Sequence, residues 1–96
     1  MFVLVTYDVA TIDKPGRARL RKIARACLDW GQRVQFSVFE IELDKAHWVA
    51  LRARLLGILD SEQDSIRFYV LDADVRTKAE HHGVRRPRDL SGPLIA

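Results

Sequence analysis

An acidic residue closes an apolar strand near the start of this chain. Residues Phe2-Val3-Leu4-Val5-Thr6-Tyr7 are β-branched or aromatic apart from Leu4, and Asp8 follows. A run this apolar reads as a strand buried on both faces, and its far end is where the backbone leaves the core. An Asp there projects from a rigid element toward solvent, where its carboxylate can hold a hard cation or a water. The alternative is local: Asp8 organises the next turn by an Asx hydrogen bond to the backbone near Ala10.

The periodicity that follows sets what packs on this strand. After a polar loop, Ala10 to Gly16, a helix runs from about Pro15 to Trp30, with Pro15 suited to its first turn. Leu20, Ile23, Ala24, Cys27 and Leu28 recur at three- and four-residue spacing as its core face. Gly31 reads as the C′ glycine that stops it. Arg33 to Leu43 is extended. Its apolar positions are Val34, Phe36 and Val38, then Phe39, Ile41 and Leu43, and the parity slip between Val38 and Phe39 predicts a bulge or bend between two short strands. Asp44 caps a second helix, about Lys45 to Leu59, with Trp48, Leu51, Leu55 and Ile58 on one face. Asp60 to Asp64 is a polar turn. Ser65 to Leu71 is a strand in which Ile66, Phe68 and Val70 alternate with Arg67, Tyr69 and Leu71. The β-α-ββ-α-β order predicts an α+β fold: a ferredoxin-like βαββαβ sandwich, an antiparallel sheet with two helices on one face. Residues 1–72 form this domain. Residues 73–96 form a charged tail in which Pro93-Leu94-Ile95-Ala96 is a short extra strand suited to pairing with another chain.

At 96 residues the chain is one domain. A domain this small buries only about two-thirds of its unfolded surface, so a second copy would add stability. The formal charge is +3, and most of the 16 Lys and Arg are Arg. The guanidinium fork pairs with phosphate in a bidentate way, which hints at polyanions, although a GC-rich genome produces the same bias. A lone cysteine, Cys27, excludes an internal disulfide and any CxxC zinc or redox motif, and its apolar helix position suits a buried, inert thiol. No apolar run has the length of a membrane span. The N-terminus lacks the basic region and cleavage site of a signal peptide, so a cytoplasmic protein is expected.

One carboxylate is too little for a magnesium site, which takes one or two carboxylates plus waters and substrate phosphate. Two copies of Asp8 across a two-fold axis would meet that need, as would Asp8 with Asp13. Arg17, Arg21 and Arg25 form an i, i+4 column on the first helix, flanked by Arg19 and Lys22. Asp29 can pair with Arg25, which leaves Arg17 and Arg21 for phosphate contacts or for solvent. His81-His82 with Glu80 has no third ligand nearby and reads as surface. His47 decorates the start of the second helix, and Arg85-Arg86-Pro87-Arg88 is a basic tail patch. The aromatics Phe36, Phe39, Phe68 and Tyr69 sit in strand patterns and are expected in the core.

Val5-Thr6-Tyr7-Asp8-Val9, the arginine-rich first helix and Gly31-Gln32-Arg33-Val34-Gln35-Phe36-Ser37-Val38-Phe39-Glu40 together resemble the small CRISPR-associated endonuclease family that partners the spacer-acquisition integrase. The block from Arg33 to Glu40 is the specific part. The resemblance implies a ferredoxin-like homodimer whose sheets meet, the C-terminal segment of one chain pairing with the other. It implies that Asp8, one per protomer, is the metal-site and catalytic residue, for magnesium or alternatively manganese. It also implies a role in CRISPR adaptation, as the central dimer between two integrase dimers and a DNA fragment. Some members are metal-dependent endonucleases on RNA or DNA. By position Tyr7, Arg19, Arg21, Arg33, Ser37 and Phe39 are supporting residues, beside Arg17 of the arginine column. Two other readings stay open: a ferredoxin-like ribonuclease toxin, and a non-catalytic regulatory module binding a small ligand.

Overall fold

Six elements follow one another in the order the periodicity implies: β1 (Phe2–Asp8), α1 (Lys14–Leu28), β2 (Gly31–Gln35), β3 (Val38–Glu42), α2 (Lys45–Ile58) and β4 (Ser65–Leu71). The computed structural model describes residues 1–72, 74 and 78–83. The strands form a single antiparallel sheet in the order β2-β3-β1-β4, with β1 and β3 central. This is the ferredoxin-like fold. The expected terminal strand, Pro93 to Ala96, and most of the 73–96 tail lie outside the described residues.

Each helix starts where an Asp can take up an orphaned backbone donor. Asp13 accepts from the Gly16 N–H at 2.9 Å and Asp44 from the His47 N–H at 2.8 Å. The core lies between the helices and one face of the sheet. Val3, Val5 and Tyr7 of β1 meet Phe39 and Ile41 of β3, Ile23, Ala26 and Cys27 of α1, and Trp48, Leu51 and Leu55 of α2. Trp48 packs edge-on against Phe68 with ring centroids 5.0 Å apart. Burial pushes the Cys27 thiol up to about 12. The expected result is that Cys27 resists iodoacetamide in the native protein at neutral pH and reacts once guanidinium unfolds it.

Several positions depart from the sequence pattern. In a single chain β1 is covered on one face: Leu4 and Thr6, on the side without helices, are half-buried. Helix α1 stops at Leu28 with Asp29 as its C-cap in right-handed helical geometry, so no left-handed glycine ends it. Gly31 instead opens β2 and is buried. A Cβ there would run into the Glu40 carbonyl and the Ile41 backbone, so glycine permits the close approach of β2 to β3. The parity break falls earlier than Val38/Phe39. A bulge lies between Arg33 and Gln35, and Phe36-Ser37 forms the hairpin turn. Phe36 is therefore 69 % exposed rather than a core residue, and Tyr69 is exposed on the uncovered sheet face. Leu28, at the last turn of α1, and Val70, on edge strand β4, are also exposed.

Candidate metal and nucleic-acid site

Asp8 is the last residue of β1, opposite Ser65 of β4. Strand alternation places it on the same face as Leu4 and Thr6, the face the helices leave bare. Its side chain is exposed and makes no hydrogen bond or ion pair among the described residues. The local alternative, an Asx bond to Ala10, does not form: the Ala10 N–H donates to Asp64 at 3.0 Å instead.

Four of the expected supporting residues gather directly behind this strand tip. Tyr7 is buried on the helix side, stacked on Phe39 with centroids 6.1 Å apart. Its N–H donates to the Ser37 carbonyl at 3.1 Å and its hydroxyl to the Phe36 carbonyl at 3.4 Å. The β2–β3 turn is thereby tied to the end of β1. Arg33 lies over the Phe39 ring, 5.1 Å from its centroid. Burial raises the Tyr7 phenol above its ordinary value, with the Arg33 guanidinium opposing the shift, so Tyr7 is neutral at physiological pH and positions rather than titrates.

The α1 arginines do not act together. Arg17 donates to the Thr11 and Ile12 carbonyls at 3.4 and 3.3 Å and braces the loop before the helix. Arg19 grips Asp64 through both carboxylate oxygens, at 2.8 and 3.3 Å. Arg21 stays exposed on the outer surface of the helix layer, the opposite layer from the Asp8 face.

Asp64 is the functional-site neighbour that sequence reading missed. Its side chain is fully buried, and besides Arg19 it accepts from the Ala10 and Asp60 N–H groups, each at 3.0 Å. It therefore fixes the segment that leaves Asp8. No local signal marks it, because Arg19 lies 45 residues away. The Arg19 guanidinium, followed by the two N–H donors, holds the Asp64 carboxyl below its ordinary value. A lowered folded-state value means stability that is present above the unfolded value, near pH 4, and lost as pH falls through the folded one. Asp64→Asn should consequently be less stable than wild type at pH 7, the gap closing as urea melts are repeated toward pH 3. Asp64→Ala should cost more, since each orphaned buried N–H costs about 1–3 kcal/mol.

The donor set in one chain does not suit a resident cation. Among the described residues no three His, Cys, Asp or Glu side chains cluster for a metal, and one Asp13 oxygen is committed to its helix cap. His82 pairs with Glu80 at 3.1 Å, away from any third ligand. A second copy of Asp8 would supply the missing carboxylate. No helix among the described residues is long and apolar enough to cross a membrane.

These features define a ferredoxin-like α+β domain with an unengaged carboxylate at the tip of a central strand and a basic helix layer. Residues 1–79 match the family described as CRISPR associated protein Cas2, and the chain belongs to that family. It is 55% identical over 95 residues to the CRISPR-associated endoribonuclease Cas2 of Chlorobaculum tepidum, covering 99% of each chain. It is 47% identical over 95 residues to the CRISPR-associated endonuclease Cas2 of Halalkalibacterium halodurans, again covering 99% of each. The crystal structure of Streptococcus pyogenes Cas2 at pH 6.5 superposes with a TM-score of 0.78 at 49% identity, covering 86% of this chain and all of that one. The resemblance read from Tyr7-Asp8 and the Arg33–Glu40 block was to this family.

Proposed function

We propose that this chain is a homodimeric CRISPR adaptation protein that cleaves phosphodiester bonds in RNA or DNA with a divalent metal held by two Asp8 carboxylates. The observation that carries the reading is the exposed, unbonded carboxylate of Asp8 on the sheet face that the helices leave bare. That face also presents half-buried Leu4, Thr6 and Val38, together with Tyr69, whose hydroxyl accepts from Arg67 at 3.2 Å. Apposing two such faces buries them and brings the two β1 tips together. The relatives' names, endoribonuclease and endonuclease, support phosphodiester hydrolysis.

Two carboxylates with waters and a substrate phosphate match what magnesium takes, and manganese accepts the same oxygens. Such an ion supplies a nucleophilic water at neutral pH and offsets phosphoryl charge. The chain's own contribution is position. The Tyr7–Ser37 bond and the Asp64–Ala10 bond hold the backbone on the two sides of Asp8. Residues 73–96 serve the dimer contact, and the dimer bridges integrase dimers on DNA. With one carboxylate per chain and no general base beside it, bridging is the larger role.

The test is cleavage of labelled single- and double-stranded RNA and DNA by wild type and Asp8→Ala, each with magnesium, manganese or EDTA. Cleavage that needs metal and is lost in the variant is expected. Metal-independent cleavage, or equal rates in the two proteins, would overturn the hydrolase reading. Loss of spacer acquisition in an Asp8→Ala dimer that still binds integrase would overturn the primacy of bridging.

A further inference from the structure

The outer surface of the helix layer carries a basic groove that the Asp8 site does not use. Ala18, Arg21, Lys22 and Arg25 of α1 and Arg54 and Ile58 of α2 line an open depression of about 440 Å³. Arg54 belongs to no column visible in the sequence. It arrives through Asp29, whose Oδ2 accepts from Arg54 at 3.0 Å while Oδ1 meets Arg25 Nε at 3.3 Å. Asp29 thus holds guanidinium groups from two helices side by side. Arg21 and Lys22 are exposed and make no ion pair among the described residues. Four cationic side chains meet one carboxylate, so the groove carries a local positive surplus.

We infer that this groove binds the phosphate backbone of duplex nucleic acid, as a second polyanion surface separate from the Asp8 face. The inference rests on the nucleic-acid reading above and extends it to a different layer of the molecule. Charge complementarity selects a polyanion, and three of the four cations are arginines, whose forks match phosphate oxygens. Arg21 and Arg25 lie one helical turn apart, about 6 Å along the axis. One strand of a duplex presents a charge about every 3.4 Å, so the pair spans about two to three phosphates. The floor is aliphatic, from Ala18 and Ile58, and the lining holds no aromatic ring. Single-strand binding sites rely on such rings to stack bases, so this lining suits a backbone read from outside. In a dimer joined through its sheet faces, the two grooves face away from each other, and one dimer carries two such surfaces.

The experiment is fluorescence anisotropy of a labelled duplex DNA titrated with full-length protein over a salt series, in EDTA throughout so that cleavage plays no part. The groove variant is Arg21→Gln/Lys22→Gln, two exposed side chains without internal partners. The control is Lys45→Gln/Arg52→Gln, which removes the same charge from exposed positions of α2 outside the groove. The expected result is a log–log salt slope smaller by about two in the groove variant, with affinity down about tenfold to a hundredfold, and a distinctly smaller loss in the control. A matching Tm confirms that the groove variant is folded. Equal losses in the two variants, or none in the groove variant, overturn the inference. So does a groove variant that keeps duplex affinity but loses binding to polyglutamate, which would make the groove a seat for an acidic protein. A protein that binds duplex through the groove yet never cleaves would sink the Asp8 hydrolase and leave this inference standing.

Discussion

Asp8→Ala is expected to lower metal-dependent cleavage by on the order of a hundredfold or more while leaving the fold as stable as before. The two effects separate because Asp8 contributes nothing to internal bonding. Its carboxylate is exposed and unbonded, and its pairing with Ser65 runs through the backbone, which alanine retains. Exposed substitutions away from packed features usually stay within about 0.5 kcal/mol. In the proposed dimer two Asp8 carboxylates face one another and repel until a cation lies between them. Magnesium or manganese should therefore raise the Tm of wild type, by linkage, and leave that of Asp8→Ala unmoved. In EDTA the variant should melt no lower than wild type. Thermal unfolding with and without metal, beside gels of cleavage, reads all three effects. A variant whose Tm still climbs with metal would place the cation elsewhere.

Gly31→Val should abolish the cooperative unfolding transition, and Gly31→Ala should lower the Tm by more than about 10 °C. The cause is backbone against backbone. The new Cβ meets the Glu40 carbonyl and the Cα of Ile41, at 2.9 Å, and neither can turn aside as a side-chain end could. To make room, β2 must leave β3, which breaks the Gly31–Ile41 and Gln32–Glu40 pairing. The same movement shifts Arg33 from its place over Phe39 and loosens the hairpin that Tyr7 holds. Circular dichroism and urea melts measure the loss. An alanine variant with wild-type stability would show that the strands can separate without cost. By contrast Gly57, with open space around it, should accept alanine and gain from its better helix propensity.

The elements and their order were legible because their signals are local. A period near two marks β1 and β4, a period near 3.6 marks the inward face of α1, and Asp44 one residue before α2 is a cap that any helix there would use. Asp8 stood out for the same reason: an acid at the end of an apolar run belongs to a strand tip. The Arg33–Glu40 block and Tyr7-Asp8 were enough to identify the family.

Which residue meets which was a different matter. Phe36 looks like core in the alternation and is a turn residue, because the bulge at Arg33/Gln35 shifts the hairpin. Arg17, Arg19 and Arg21 look like one column. Arg17 braces a loop through backbone carbonyls, Arg19 is held by Asp64, and Arg21 joins Arg54 at a groove between helices. Gly31 reads as a helix stop because glycine's freedom of φ is its commonest use, and only the neighbouring strand reveals its need for space. By itself, then, the sequence determined the secondary structure, the fold class, the family and the candidate carboxylate, since each depends on residues a few positions apart. Only the tertiary structure decided the partners of the arginines, the buried Asp64 and the bare sheet face, because those depend on contacts between segments 25 to 45 residues apart, which no local pattern encodes.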